Sequence, residues 1–129
     1  MSERACVLDA SALLALMLRE PGWEAVAQRL PTACISAVNL AEVVTKLIDR
    51  GSSDDEVSES LIDLDLDVRL FDAEQAVSTG QLRAVTRSSG LSLGDRACLA
   101  LASKLNAVAI TTDRAWADVL SGVSIELAR

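Results

Sequence analysis

Asp9 ends the apolar run Cys6-Val7-Leu8, and Asp113 ends a β-rich run over residues 107–112. Each then leads into a segment that reads as a helix. In an open parallel sheet, sites form beyond the carboxyl ends of strands. Acids at two such ends would meet if their strands were neighbours. Each also has a purely structural explanation, as an N-cap that accepts from free helix amides. Asp95 shares a helix face with the apolar Cys98, Leu99 and Ala102. A carboxylate on such a face is costly unless paired, capped or bound to a cation. The Ser92…Asp95 spacing offers a capping box as the alternative to a ligand. Glu42 lies opposite a Leu40/Val43/Leu47 stripe with Lys46 four residues on, which periodicity reads as a solvated Glu–Lys pair.

Composition narrows the chemistry to carboxylates. There is no histidine among the 129 residues, which removes Ser-His-Asp and Cys-His nucleophiles in their usual form, together with His-ligated zinc. Cys6, Cys34 and Cys98 form no C-x-x-C pair and each sits in an apolar run, as buried free thiols of a reducing compartment do. Trp23, Phe71 and Trp116 are too few to build a base-stacking platform. The net charge of −7 argues against simple electrostatic attachment to nucleic acid or an anionic membrane. It leaves room for an enzyme that gathers its acids around a divalent cation, reversing the local sign. The apolar stretch 10–18 is too short to span a bilayer, and Asp9 and Glu3 spoil it as a signal peptide, so a soluble cytoplasmic protein is expected.

The elements that must position these acids alternate between strand and helix. Residues 6–8 read as a buried strand and 11–18 as a helix, which Pro21 and Gly22 break before a second helix over 23–30. A short strand over 33–36 follows, then a helix over 38–50 with apolar residues at 40, 43, 44, 47 and 48, closed by Gly51. The polar, acidic stretch 52–59 is expected to be the one mobile loop, leading into a helix that ends near Leu64. Further strands are expected at 67–71, 107–112 and 123–127, and further helices at 73–88, 92–105 and 113–120. The length fits one domain with a central parallel α/β sheet flanked by helices on both faces.

Four segments together resemble a known family. Val7-Leu8-Asp9-Ala10-Ser11-Ala12-Leu13 resembles the opening motif of PIN domains, especially the VapC toxins of bacterial toxin–antitoxin pairs. Ile35-Ser36-Ala37-Val38-Asn39-Leu40-Ala41-Glu42 is similar to their second motif, which ends in an acid. The third is resembled by Leu91-Ser92-Leu93-Gly94-Asp95-Arg96-Ala97-Cys98-Leu99-Ala100, and the fourth by Ala109-Ile110-Thr111-Thr112-Asp113-Arg114. In the fourth, Thr111-Thr112-Asp113 departs from the commoner Thr-x-Asp with a small middle residue. The resemblance covers nearly the whole chain.

It implies a PIN-like fold in which Asp9, Glu42, Asp95 and Asp113 form an acidic quartet, catalytic and metal-binding at once, with Ser11 and Thr112 as accessory hydroxyls. Clustered oxygen ligands suit Mg²⁺ or Mn²⁺. The implied activity is metal-dependent endoribonuclease cleavage of RNA by an activated water, leaving a 5′-phosphate and a 3′-hydroxyl. The implied partners are an RNA substrate, a small VapB-like antitoxin and a second copy in a homodimer. Leu13, Leu16, Met17 and Trp23 would serve such contacts or the core, Arg96 and Arg114 would contact phosphates or be ordinary surface charge, and Asp118 would be a fifth acid or an exposed helix residue. Two further readings stay open: a PIN nuclease of RNA processing outside a toxin–antitoxin pair, and a non-catalytic PIN-like binding module. A phosphotransfer receiver domain would need an acidic pair after the first strand and a Lys after the last, and the sequence has neither.

Overall fold

The computed structural model describes residues 4–119 and 121–129, the side chains of 117 and 118 excepted. Its strands are β1 (Cys6–Leu8), β2 (Ala33–Ser36), β3 (Asp67–Arg69), β4 (Val108–Thr111) and β5 (Ile125–Leu127). The helices are α1 (Ala10–Leu18), α2 (Trp23–Arg29), α3 (Ala37–Asp49), α4 (Asp54–Leu64), α5 (Ala73–Gln81), α6 (Arg83–Thr86) and α7 (Leu93–Leu105). The strands form one sheet in the order β3-β2-β1-β4-β5 with every neighbouring pair parallel, as the alternation of elements predicts.

Helices cover both faces because side chains alternate along each strand. Val7, Cys34 and Ala109 pack against Cys98, Leu99 and Ala102 of α7 and against Trp116. On the opposite face, Leu8 and Ile110 meet Ala12 and Val26, while Ile35 meets Leu13 and Val43. Burial on both faces explains why β1 and β4 read as continuous apolar runs instead of alternating. Cys6, Cys34 and Cys98 are buried free thiols, as expected. Among the described residues no helix is long and apolar enough to cross a membrane.

Three expectations need correction. Residues 52–59 are not a mobile loop. Ser53 caps α4 by accepting from the Glu56 amide while the Glu56 carboxylate accepts from the Ser53 amide, so this reciprocal box turns the acidic stretch into helix from Asp54 onward. The helix expected over 73–88 ends at Gln81 and is followed by α6 and a 3₁₀ turn over Arg87–Ser89. The Thr86 hydroxyl donates to the Leu82 carbonyl, a local bond that competes with helix continuation. The segment after β4 is a 3₁₀ turn over Arg114–Asp118 around the fully buried Trp116, and Leu120 lies outside the described residues.

Candidate active site

The chain runs outward from β1 to β2 and β3, then returns to lay β4 and β5 on the other side of β1. The reversal lies between β1 and β4, and the crevice beyond their carboxyl ends is where an open α/β sheet offers a site. Asp9 leaves β1 and Asp113 follows β4 at this edge. Leu8 pairs with Ile110, so Asp9 stands level with Thr111.

Asp9 is 3 % exposed and fully engaged on one oxygen. Its Oδ1 accepts from the Ala12 amide at 2.8 Å and from the Ser11 hydroxyl at 2.7 Å, which fills both lone pairs. Its Oδ2 accepts from the Thr111 hydroxyl at 2.6 Å and keeps one lone pair. Burial pushes the Asp9 carboxyl up to about 6; bonds from Thr111, Ala12 and Ser11 pull it back, and the nearby Asp95 charge adds to the rise. Ser11 also accepts from the Thr112 amide, and Thr111 accepts from the Asp113 amide, so both hydroxyls tie the end of β4 to the start of α1. Ser11 thus contacts Asp9 as the family motif implies. The second hydroxyl on Asp9 is that of Thr111, which the sequence reading left without a role, while Thr112 lines the same cleft. The signal that could have found it is register: a residue paired with a strand-end acid faces it.

Glu42 is not the solvated partner of Lys46. It is half-buried, and its Oε1 accepts from Asn39 Nδ2 at 3.0 Å. Burial raises its carboxyl above the usual range; the Asn39 bond opposes this, Asp95 reinforces it and Lys46 opposes it. The carboxylate lies over Gly94 at the start of α7, where a Cβ would collide with it. Asp95, the next residue, closes the capping box: Ser92 Oγ accepts from the Asp95 amide, and Asp95 Oδ2 accepts from the Ser92 amide at 2.9 Å. Capping and cleft placement therefore coexist at Asp95. Asp113 is exposed and caps its 3₁₀ turn through Oδ1, which accepts from the Ala115 amide.

Asp9, Glu42, Asp95 and Asp113, from four separated segments, line one cleft of about 450 Å³. Glu20 and Lys46 line it too, and the sequence reading assigned neither to it. Glu20 arrives because Arg19 ends α1 in the left-handed conformation (φ 54°) and turns the chain. Asp95 Oδ1, Asp113 Oδ2 and Glu42 Oε2 accept no intramolecular hydrogen bond among the described residues. The donors facing the cleft are thus hard oxygens, and burial of Asp9 and Glu42 is a cost that a cation would offset. As the side chains stand, no three acids or thiols among the described residues are set to hold one ion together. Arg96 points elsewhere, its Nη1 donating to the Thr79 carbonyl of α5 at 3.1 Å. Arg114 is exposed and is not among the residues lining the cleft. The side chain of Asp118 lies outside the described residues.

A second pocket of about 460 Å³ lies between the α1–α2 corner and α4, lined by apolar Leu16, Met17, Trp23 and Val57 and by charged Arg19, Glu56 and Asp63 among others. Leu13, by contrast, is fully buried in the core.

By sequence, the chain matches no curated relative. By structure it is similar to VapBC2 from Rickettsia felis bound to a DNA fragment from its promoter, at 19 % identity and TM-score 0.75 over 95 % of this chain and 98 % of that one. DNA-bound VapBC from Salmonella typhimurium aligns at 21 % identity and TM-score 0.72, over 98 % and 100 %. VapC20 from Mycobacterium tuberculosis, a sarcin-ricin loop cleaving toxin, aligns at 20 % identity and TM-score 0.73, over 91 % and 98 %. The sequence profile described as PIN domain matches residues 6–120, which includes every acid of the cleft, and the chain belongs to the PIN domain family.

Proposed function

We propose that this protein is a VapC-like endoribonuclease toxin that uses Mg²⁺ or Mn²⁺ and is neutralised by a small antitoxin. The observation that carries this reading is the meeting of Asp9, Glu42, Asp95 and Asp113 in one cleft at the reversal of strand order. Free oxygens on Glu42, Asp95 and Asp113, with the spare lone pair of Asp9, would hold the cation. Held by these residues, a divalent cation would supply an acidified water and a counter-charge for the scissile phosphate. Ser11 and Thr111 hold Asp9 in one rotamer, so little reorganisation is left for the moment of reaction. Lys46, on the cleft wall, would meet a phosphate of the RNA. The product is expected to carry a 5′-phosphate end.

The antitoxin would dock in the mixed pocket beside α4, and a second copy would pair over exposed apolar residues such as Ile62 and Leu70. Structural neighbours solved as VapBC complexes support an antitoxin partner. Buried reduced thiols suit the cytoplasm.

The test is Asp9→Asn. It keeps an N-cap for α1, so the circular dichroism spectrum should be retained while cleavage of RNA in Mn²⁺ is lost. Full activity in the variant would defeat the assignment. A competing reading, a non-catalytic binding module, predicts no specific Mn²⁺ uptake in calorimetry.

A further inference from the structure

Asn39 and Glu42 lie three residues apart on α3, on one face of the helix. Asn39 is 1 % exposed, although an amide of its size belongs in water unless it is paired. Both of its N–H groups are used. One donates to Glu42 Oε1 at 3.0 Å, the other to the Gly94 carbonyl at 2.9 Å, across 55 residues of sequence. Its Oδ1 finds no partner among the described residues, which is a cost. The opposite flip would set Oδ1 against two acceptors, so the observed orientation is dictated by Glu42 and Gly94. Gly94 contributes through what it lacks, since any Cβ there would occupy the space of the Glu42 carboxylate.

We infer that Asn39 is a positioning residue that fastens Glu42 to the first turn of α7, so that Glu42 and Asp95 are presented to the cleft as one unit. A buried, half-satisfied amide is poor material for stability alone. Its two bonds join the element carrying one cleft acid to the residue preceding another. Asn39 is not among the residues lining the cleft; it acts through Glu42. The inference rests on the nuclease reading for its purpose, although the clamp itself is a statement about two hydrogen bonds.

A double-substitution cycle separates the two. Wild type, Asn39→Ala, Glu42→Ala and the double variant are titrated with MnCl₂ by calorimetry, and amide hydrogen exchange is followed at residues 94–96. Groups that support metal ligands from outside the coordination sphere alter affinity by about 10- to 100-fold when removed. Asn39→Ala should weaken Mn²⁺ binding by that order in the wild-type background and change it little once Glu42 is absent, because coupled groups are non-additive. Exchange at 94–96 should quicken in Asn39→Ala. Equal losses in both backgrounds, or wild-type affinity in Asn39→Ala, would overturn the inference. Should Asn39→Ala fail to fold, Asn39→Ser takes its place, since Ser can satisfy its own hydroxyl on the preceding turn yet is too short to bridge to Gly94. Failure of both to fold would also overturn it, leaving Asn39 a residue of the core. If wild type takes up no Mn²⁺, the nuclease reading falls, and exchange at 94–96 alone decides the clamp.

Discussion

The Thr111 hydroxyl donates to Asp9 Oδ2 at 2.6 Å, joining the end of β4 to the end of β1 across 102 residues of sequence. Thr111 is fully buried and Asp9 nearly so, and the same threonine oxygen receives the Asp113 amide. One hydroxyl therefore fixes the rotamer of one cleft acid and the backbone of another.

Thr111→Val preserves shape and removes that hydroxyl. The Asp113 amide and the Asp9 carboxylate each lose a partner, which should cost about 1–3 kcal/mol of stability. Urea denaturation in EDTA at neutral pH measures this. A midpoint equal to wild type would mean that water replaces the hydroxyl freely and that the bond does not organise the site.

The buried carboxyl of Asp9 makes stability depend on pH with a definite sign. Its ordinary value of 3.8 rises to about 6 in the fold, so between these the folded protein binds more protons than the unfolded chain. The contribution of Asp9 to the stability of the metal-free protein should then be full below the unfolded value and be lost as pH rises through about 6, by about 3 kcal/mol at most. Glu42, also raised, acts in the same direction. Urea midpoints across this window should slope downward in wild type and much less in Asp9→Asn. Equal slopes in the two proteins would assign the effect to other groups.

The residues that sequence could place are those whose setting is local. Asp9 and Asp113 follow apolar strand runs, and their capping roles follow from the helix or turn each begins. Ser92 and Asp95 form their box within three residues. Glu42 was out of reach of periodicity, because its carboxylate is held by Asn39 and lies over Gly94, which comes from a distant part of the chain. Thr111 needed the β1–β4 register, which no single strand contains. Glu20 needed the left-handed turn at Arg19, a conformation that an arginine does not advertise. The stretch 52–59 reads as a loop from its acidity, yet Ser53 and Glu56 close a local box that starts the helix at Asp54.

Met17→Glu should weaken capture of the antitoxin while leaving RNA cleavage by the free protein near wild type. Met17 is half-buried among the apolar residues of the pocket beside α4 and is not among the residues lining the acidic cleft. Placing a charge in an apolar contact costs affinity mainly through faster dissociation. Surface plasmon resonance with the cognate antitoxin reads it. Unchanged dissociation would move the docking place elsewhere on the protein.

Gly94→Ala sets two known effects against each other. Alanine is the better helix former by about 1 kcal/mol, and Gly94 is the second residue of α7. If Glu42 were free to swing into solvent, the substitution would stabilise the protein. The Asn39 amide holds Glu42 where the new Cβ must go, so the carboxylate has to leave its bond or α7 has to shift. Overpacking of this kind costs about 1–3 kcal/mol, enough to outweigh the propensity gain. The variant should therefore melt below wild type, and cleavage should fall towards the level of a Glu42→Gln protein. A higher melting temperature with full activity would show that Glu42 does not need the position it occupies over Gly94.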